Sequence, residues 1–339
     1  VSSRVTALGS VTDFVNPRLG LTLNSPGVDL RRLIASTTFL RSLSMFEPSG
    51  RGPVHARLAG TLDNLTVDAS ACVPRASIKG VRVQSVFVSV VYRPTAVEIR
   101  SLRAIADGTT FYARGRVALR LATTLDLSGR FEGLEIRRVP VKLPYAVTGR
   151  ASGSFGITGT TTRPVISVEG QAVNGSIGRV AFSSVQGSLT ISGPTVEVGS
   201  LTVSGVFGGF VRAAGVVSGT AFDLRVSADS IDVYSLASAL GKSGYGGTAF
   251  FDGRVFGNLK EPRVQGAIEV FGGQVDEYTI DHGVARFSAD RSSVAVSEGL
   301  IQMYPAELRF SGDATGLNTG RVAFSGEAHV RRLETTKLL

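Results

Sequence analysis

The sequence predicts an all-β protein: an elongated, curled antiparallel sheet with short helices between repeats. Three observations carry that prediction. Val, Ser, Thr and Gly, with 41 glycines in 339 residues, fill stretches in which apolar and polar residues alternate, the period of a strand with one wet and one dry face. Gly-rich turn signals punctuate those stretches. Finally, the pattern recurs about every 99 residues, as Gly60, Gly159 and Gly257 mark (159 − 60 = 99; 257 − 159 = 98), a period that speaks for a tandem architecture.

The alternation is visible strand by strand. In Ala306-Glu307-Leu308-Arg309-Phe310-Ser311, Leu308 and Phe310 point one way and Glu307 and Arg309 the other. Phe222-Asp223-Leu224-Arg225-Val226-Ser227 behaves identically, as do Val117-Ala118-Leu119-Arg120-Leu121 and Leu125-Asp126-Leu127-Ser128. Counting runs between turn signals predicts about five strands per repeat, then a short helix or loop. The doublets Gly208-Gly209, Gly246-Gly247 and Gly272-Gly273 read as turns or bulges, because none forms a Gly-x-Gly-x-x-Gly that opens a helix.

Three markers order each repeat. The first is a Gly, a polar turn and a strand: Gly60 through Val67, Gly159 through Ile166, Gly257 through Val264. The second runs from Val97 to Leu102 and from Val196 to Leu201, then from Val294 to Leu300 with a slip of one. The third is Leu134-Glu135-Ile136, Ile231-Asp232-Val233 and Leu333-Glu334-Thr335, with an upstream copy at Val28-Asp29-Leu30. These divide the chain into residues 1–49, the end of a preceding repeat plus a short helix, and repeats at 50–148, 149–246 and 247–339. Helical spacing of Leu30, Leu33, Ile34, Leu40 and Leu43 predicts a helix within residues 30–45, with a shorter one at 234–240 ended by Gly241.

Composition excludes several classes. Hydrophobic residues make up 43% and charged residues 19%, below the roughly 25% usual for soluble domains. The single cysteine, Cys72, rules out an internal disulfide framework or thiolate metal cage and reads as a small core residue. The formal charge is +9, but the arginines are scattered and alternate with apolar neighbours. The densest pairs are Arg31-Arg32, Arg137-Arg138 and Arg331-Arg332. A nucleic-acid binder concentrates charge and interleaves aromatics, so no nucleic-acid partner is expected. The longest apolar run, residues 85–92, is too short to span a bilayer as a helix. Val1 and the Leu338-Leu339 end, inside an amphipathic pattern, read as cuts from a longer chain.

No catalytic or cofactor chemistry is legible. His55, His282 and His329 fall in different repeats, without metal-ligand spacing to a second ligand. Asp281-His282 is the sole adjacent acid–His pair, and beside Gly283 it reads as a surface turn. Glu307 and Asp313 are the nearest thing to paired carboxylates, but alternation puts Glu307 on the polar face. The expectation is a protein that is not an enzyme and holds neither metal nor cofactor.

An apolar sheet face must be buried against something, and the predicted helices are too few to cover about fifteen strands. A second sheet, self-closure, or a curled sheet around a non-protein ligand remain. Here the chain resembles the TamB and AsmA-like family of bacterial envelope proteins, a branch of the repeating β-groove, bridge-like lipid transfer proteins. The residues that carry the resemblance are the Gly-(x)4-Pro turns, Gly159 to Pro164 and Gly257 to Pro262. Behind them come the strands Val165-Ile166-Ser167-Val168-Glu169-Gly170 and Arg263-Val264-Gln265-Gly266-Ala267-Ile268. The Ile231-Asp232-Val233 element completes the set, which covers residues 50–339. The first repeat departs from it, with Leu65 in place of Pro.

The resemblance implies a taco-shaped sheet with a hydrophobic groove carrying phospholipid between inner and outer membranes. It implies a periplasmic segment of an inner-membrane-anchored protein. The family's N-terminal membrane anchor, and its C-terminal part that meets an outer-membrane assembly protein, are absent from this segment. Exposing an acyl chain of roughly 16 carbons to water costs on the order of 12 kcal/mol, which an apolar trough largely removes. About fifteen strands at roughly 4.8 Å spacing would make a trough of about 70 Å. Candidate lining positions are Val117, Leu119, Leu121, Leu125, Leu127, Phe222, Leu224, Val226, Ile268, Val270, Leu308 and Phe310. Three other readings stay open. A β-solenoid would need coils far shorter than the period seen. A membrane barrel would show aromatic girdles, whereas Trp is absent and Tyr numbers 7. A scaffold or chaperone for outer-membrane protein assembly would share the fold and use strand edges.

Overall fold

Long alternating runs separated by two-residue turns give long antiparallel hairpins, and the chain is built of little else. The computed structural model describes residues 4–13, 15–36, 47, 49–78, 81–119, 123–138, 146–318 and 321–332. Among these residues, twenty strands are assigned to one antiparallel sheet that is not closed into a barrel.

Two strands, β1 (Thr6–Thr12) and β2 (Arg18–Asp29), lead into helix α1 (Leu30–Ser36). Then come β3 (Ser49–Thr61), β4 (Thr66–Ile78), β5 (Val81–Arg93), β6 (Ala96–Ala106), β7 (Thr109–Ala118) and β8 (Thr124–Glu135). A 3-10 turn, Ile136–Arg138, closes this set. The next set is β9 (Val147–Thr160), β10 (Pro164–Ile177), β11 (Val180–Ser192), β12 (Thr195–Val206), β13 (Gly209–Ser218) and β14 (Ala221–Asp232), closed by helix α2 (Val233–Ala239). The last is β15 (Tyr245–Asn258), β16 (Pro262–Val275), β17 (Tyr278–Ala289), β18 (Ser293–Met303), β19 (Ala306–Thr315) and β20 (Ala323–Arg332).

Each set therefore holds six strands, not five. The difference arises at breaks such as Pro94-Thr95 and Tyr304-Pro305, two-residue turns without glycine that sequence counting runs together.

The markers correspond to definite structures. Gly60, Gly159 and Gly257 have φ of +115°, +88° and +110°, a region open to glycine and strained for other residues. At each, an added Cβ would sit 2.4–2.6 Å from the carbonyl oxygen four residues on: Asn64, Arg163 or Glu261. Pro164 and Pro262 open β10 and β16, the strand position that tolerates a missing donor. Where the first repeat has Leu65, a 3-10 turn (Leu62–Asn64) replaces the tight one.

The third marker is where strand turns into helix at Asp29 and Asp232, and its copy Leu333-Glu334-Thr335 lies outside the described residues. Asp232 caps α2, its carboxylate accepting from the Tyr234 and Ser235 amides at 3.2 and 3.3 Å. Asp29 accepts from the Arg32 amide at 3.1 Å. Glu135, the counterpart, instead pairs with Arg137 and Arg138, and only a 3-10 turn forms. Helix α1 covers the start of the predicted 30–45 helix, and residues 37–46 lie outside those described.

The chain divides into two units, Val1–Arg138 with Ala151–Val168, and Val139–Arg150 with Glu169–Leu339. Within the first, each strand from β1 to β8 pairs with the next. Within the second, the same holds from β11 to β20.

Candidate functional site

Register decides which side chains stand shoulder to shoulder, and here it lines the apolar positions of successive strands into ladders. In the second unit one ladder runs Leu189, Val198, Gly215, Leu224, Val255, Val264, Ala289, Val294, Ala314, Phe324. A parallel ladder passes through Val226, Gly253, Gly266, Phe287 and Val296. The next passes through Ala228, Phe251, Ile268, Ala285, Gly299, Phe310 and Ala328. A further one joins Ile231, Ala249, Val270, Gly283, Ile301, Leu308 and Val330.

Seven sequence-predicted residues thus share one face of the second unit: Phe222, Leu224, Val226, Ile268, Val270, Leu308 and Phe310. In the first unit, Val117 and Leu125 extend a ladder through Leu21, Leu58, Val67, Tyr92 and Val97. Leu127 follows in the neighbouring one with Ala56, Ala69, Val90, Ile99 and Gly115. Leu119 lies just past β7, its amide bonded to the Thr95 carbonyl at 2.8 Å. Leu121 lies outside the described residues.

Two-fold pleating makes the face continuous, and β-bulges keep it so. Where β14 would flip, Asp229 and Ser230 bulge out (Ser230 φ +57°), so Ala228 and Ile231 stay on the same side. The bulge in β18 leaves Ser297 and Glu298 unpaired with β19 and keeps Val296 and Gly299 together. This also corrects the second marker: the counterpart of Leu102 and Leu201 is Gly299, opposite Phe310, as the other two stand opposite Ala113 and Ala213.

Most ladder side chains are half-buried, while Ala56, Ile231 and Ala249 are buried and Phe324 and Val330 on β20 are exposed. All eleven described candidates are half-buried, and among the largest side chains of the described residues only Val91 is sealed. Neither α1 nor α2, at seven residues each, is long enough to cover such a face.

The opposite face carries the charged residues, with Phe250, Val284 and Leu300 in register among them. Arg225, Arg254, Gln265, Ser288, Ala295, Asp313 and Ser325 stand in register across it. Arg254 forms a double hydrogen bond with Asp223, which holds that carboxyl below its ordinary value. In the second unit a concavity of about 1690 Å³ lies on this opposite face. It is lined by Asp223, Arg225, Asp252, Arg254 and Arg286, and by none of the predicted apolar residues. In the first unit a recess of about 460 Å³ is lined by Pro26, Pro53, Cys72 and Phe87 among others.

Two sequence expectations are corrected. Cys72 is exposed, because Ala71 and Val73 on either side face the apolar ladders and strand parity turns Cys72 outward. Asp281-His282 is no turn: both lie within β17. His282 Nε2 is 2.7 Å from Glu269 Oε1, and its ring stacks on Phe271 at 4.7 Å. Glu307 is on the polar face, 2.9 Å from Arg309. Among the described residues no group of three or more His, Cys, Asp or Glu is placed to hold a metal ion. No helix among them is long and apolar enough to cross a membrane. Comparison with protein-family models, curated proteins and solved structures returned no match to this chain.

Proposed function

We propose that this chain is a non-enzymatic, lipid-conducting segment whose apolar sheet face holds phospholipid acyl chains. The observation that carries the reading is the ladder set: four adjacent apolar rows, unbroken by charge between β14 and β19, most of whose members are only half-buried. A chain of CH2 groups gains about 0.8 kcal/mol for each one removed from water. A row of Val, Ile, Leu and Phe tops without a charged step lets it slide at little cost. The rows run across strands, so within the second unit a lipid moving along one passes from strand to strand over an apolar wall.

Phospholipid is the partner in this reading, and the bacterial envelope is its setting through the resemblance to TamB and AsmA-like proteins. The segment would then work in the periplasm as part of an inner-membrane-anchored protein. The scaffold reading keeps one observation of its own, the wholly exposed strand β1 at an edge, which could take up a partner strand.

Native mass spectrometry with lipid extraction, on protein purified in gentle detergent, tests the proposal. Several phospholipids per chain are expected, and Leu224→Asp with Leu308→Asp should abolish them. A lipid-free protein that stays monodisperse without detergent would overturn it and favour the scaffold.

A further inference from the structure

The net charge is not spread evenly, although it looks scattered when read as sequence. Residues 1–150 carry 21 Arg and Lys against 10 Asp and Glu, a balance of +11; residues 151–339 carry 15 against 17, or −2. The two halves sum to the +9 of the whole chain. Only Lys79 and Lys142 in the first half are lysines, so 19 of its 21 cations are arginines.

Register gathers these arginines on one surface. The polar face of strands β3 to β8 carries exposed arginines around the sealed Val91, among them Arg57, Arg82, Arg103, Arg114, Arg116 and Arg130. The acidic residues on the same strands and face are Asp68, Glu98, Asp126 and Glu132. Ion pairs among the described residues of this face engage Arg93, Arg100 and Arg130, so most of the guanidinium charge stays directed outward. Amid it stands Phe87, 45% exposed, with Arg103 directly opposite on β6.

We propose that this arginine-rich face of β3–β8 docks on the surface of a bilayer containing anionic phospholipids, the guanidinium groups taking lipid phosphates and Phe87 entering the interface. Guanidinium forks bind phosphate oxygens in pairs. A cationic array around an exposed aromatic is the composition of an interfacial membrane contact. A single-stranded nucleic acid would ask for open ring faces. Tyr112, the other aromatic of the face, is instead covered by Arg130 at 4.3 Å and Arg103 at 5.8 Å. The proposal concerns the charged face and stands apart from the apolar ladders opposite it.

Flotation of the purified chain with vesicles tests it, using phosphatidylcholine alone or with about three lipids in ten replaced by phosphatidylglycerol, whose negative surface potential attracts arginines. Binding is expected to the anionic vesicles only and to collapse as salt rises from about 0.1 to 0.5 M. Arg57→Gln with Arg103→Gln and Arg114→Gln should weaken it roughly 100-fold, at about five-fold per charge. Phe87→Ala should weaken it several-fold while leaving the salt dependence intact. The three arginines are exposed, and circular dichroism verifies that the variant folds.

Equal binding to neutral vesicles, or none to anionic ones, would overturn the proposal. So would an oligothymidylate that binds more tightly than the vesicles and displaces them. The Leu224→Asp and Leu308→Asp variant separates the two lipid readings: it should lose co-purified lipid yet keep vesicle binding, whereas the arginine variant should do the reverse.

Discussion

Gly299 on β18 faces Phe310 on β19 so closely that a methyl group on Gly299 would lie 2.4 Å from the Phe310 ring. In the two earlier repeats the same cross-strand positions hold Leu102 with Ala113 and Leu201 with Ala213. The large and small partners have changed strands while the space between them is still filled. A half-buried ladder tolerates either order because close packing conserves summed volume, not the residue at each position.

The exchange yields a stability prediction. Gly299→Ala should cost about 1–3 kcal/mol through overpacking, read as a lower urea midpoint at unchanged slope. Adding Phe310→Ala to Gly299→Leu rebuilds the pair of the other repeats and should recover most of the loss. A double variant no better than its parts would show that the ladder positions are not equivalent.

At the repeat turns, Gly159→Ala and Gly257→Ala should each destabilise by more than about 1 kcal/mol. Each meets both an unfavourable φ and a carbonyl oxygen at 2.6 or 2.5 Å. Hydrogen exchange should then rise first at the amides of β10 or β16, next to the altered turn.

Acid should weaken the fold through its turns and caps. Backbone and side-chain hydrogen bonds from Ser292, then the Ser293 amide, lower Asp290 to about 2, and the Ser235 hydroxyl and amide lower Asp232. A carboxyl lowered in the folded state stabilises fully above its unfolded value, and that contribution disappears as pH falls through the folded one. Stability should therefore drop between about pH 4 and pH 2, and Asp290→Asn should flatten that drop in thermal melts. An unchanged pH profile in the variant would count against the turn's role.

Cys72 offers a check on the parity of β4. As an exposed thiol it should react with a maleimide in the native protein at nearly the rate of the unfolded chain. Protection in the native state would place it on the ladder side and invert the face assignment of the first unit.

Lipid capture should depend on position within the ladders and not on hydrophobicity at large. Leu308→Asp puts a charge between Ile301 and Val330, in the path of a sliding acyl chain, and should lower phospholipid retention several-fold. Leu259→Asp, at an exposed turn residue, should leave retention unchanged. Equal loss in both would point to general detergent-like adsorption.

The all-β, antiparallel character was legible in the sequence, because alternation and turn chemistry act over a few residues. Leu224 and Val226 could be placed together on a dry face from Asp223 and Arg225 alone, and Asp232 could be seen to end one repeat. The sixth strand of each repeat was hidden where turns such as Pro94-Thr95 lack glycine. Cys72 was misplaced when composition outweighed the parity that Ala71 and Val73 impose. What only the tertiary structure decided is which residues meet across strands. Bulges at Asp229-Ser230 and Ser297-Glu298 reset the phase of a strand, and a shift by one residue exchanges its two faces. The Gly299–Phe310 contact, the polar lining of the large concavity and the gathering of scattered arginines on β3–β8 all follow from that register. Register is set by hydrogen bonds between residues distant along the chain, which no local pattern records.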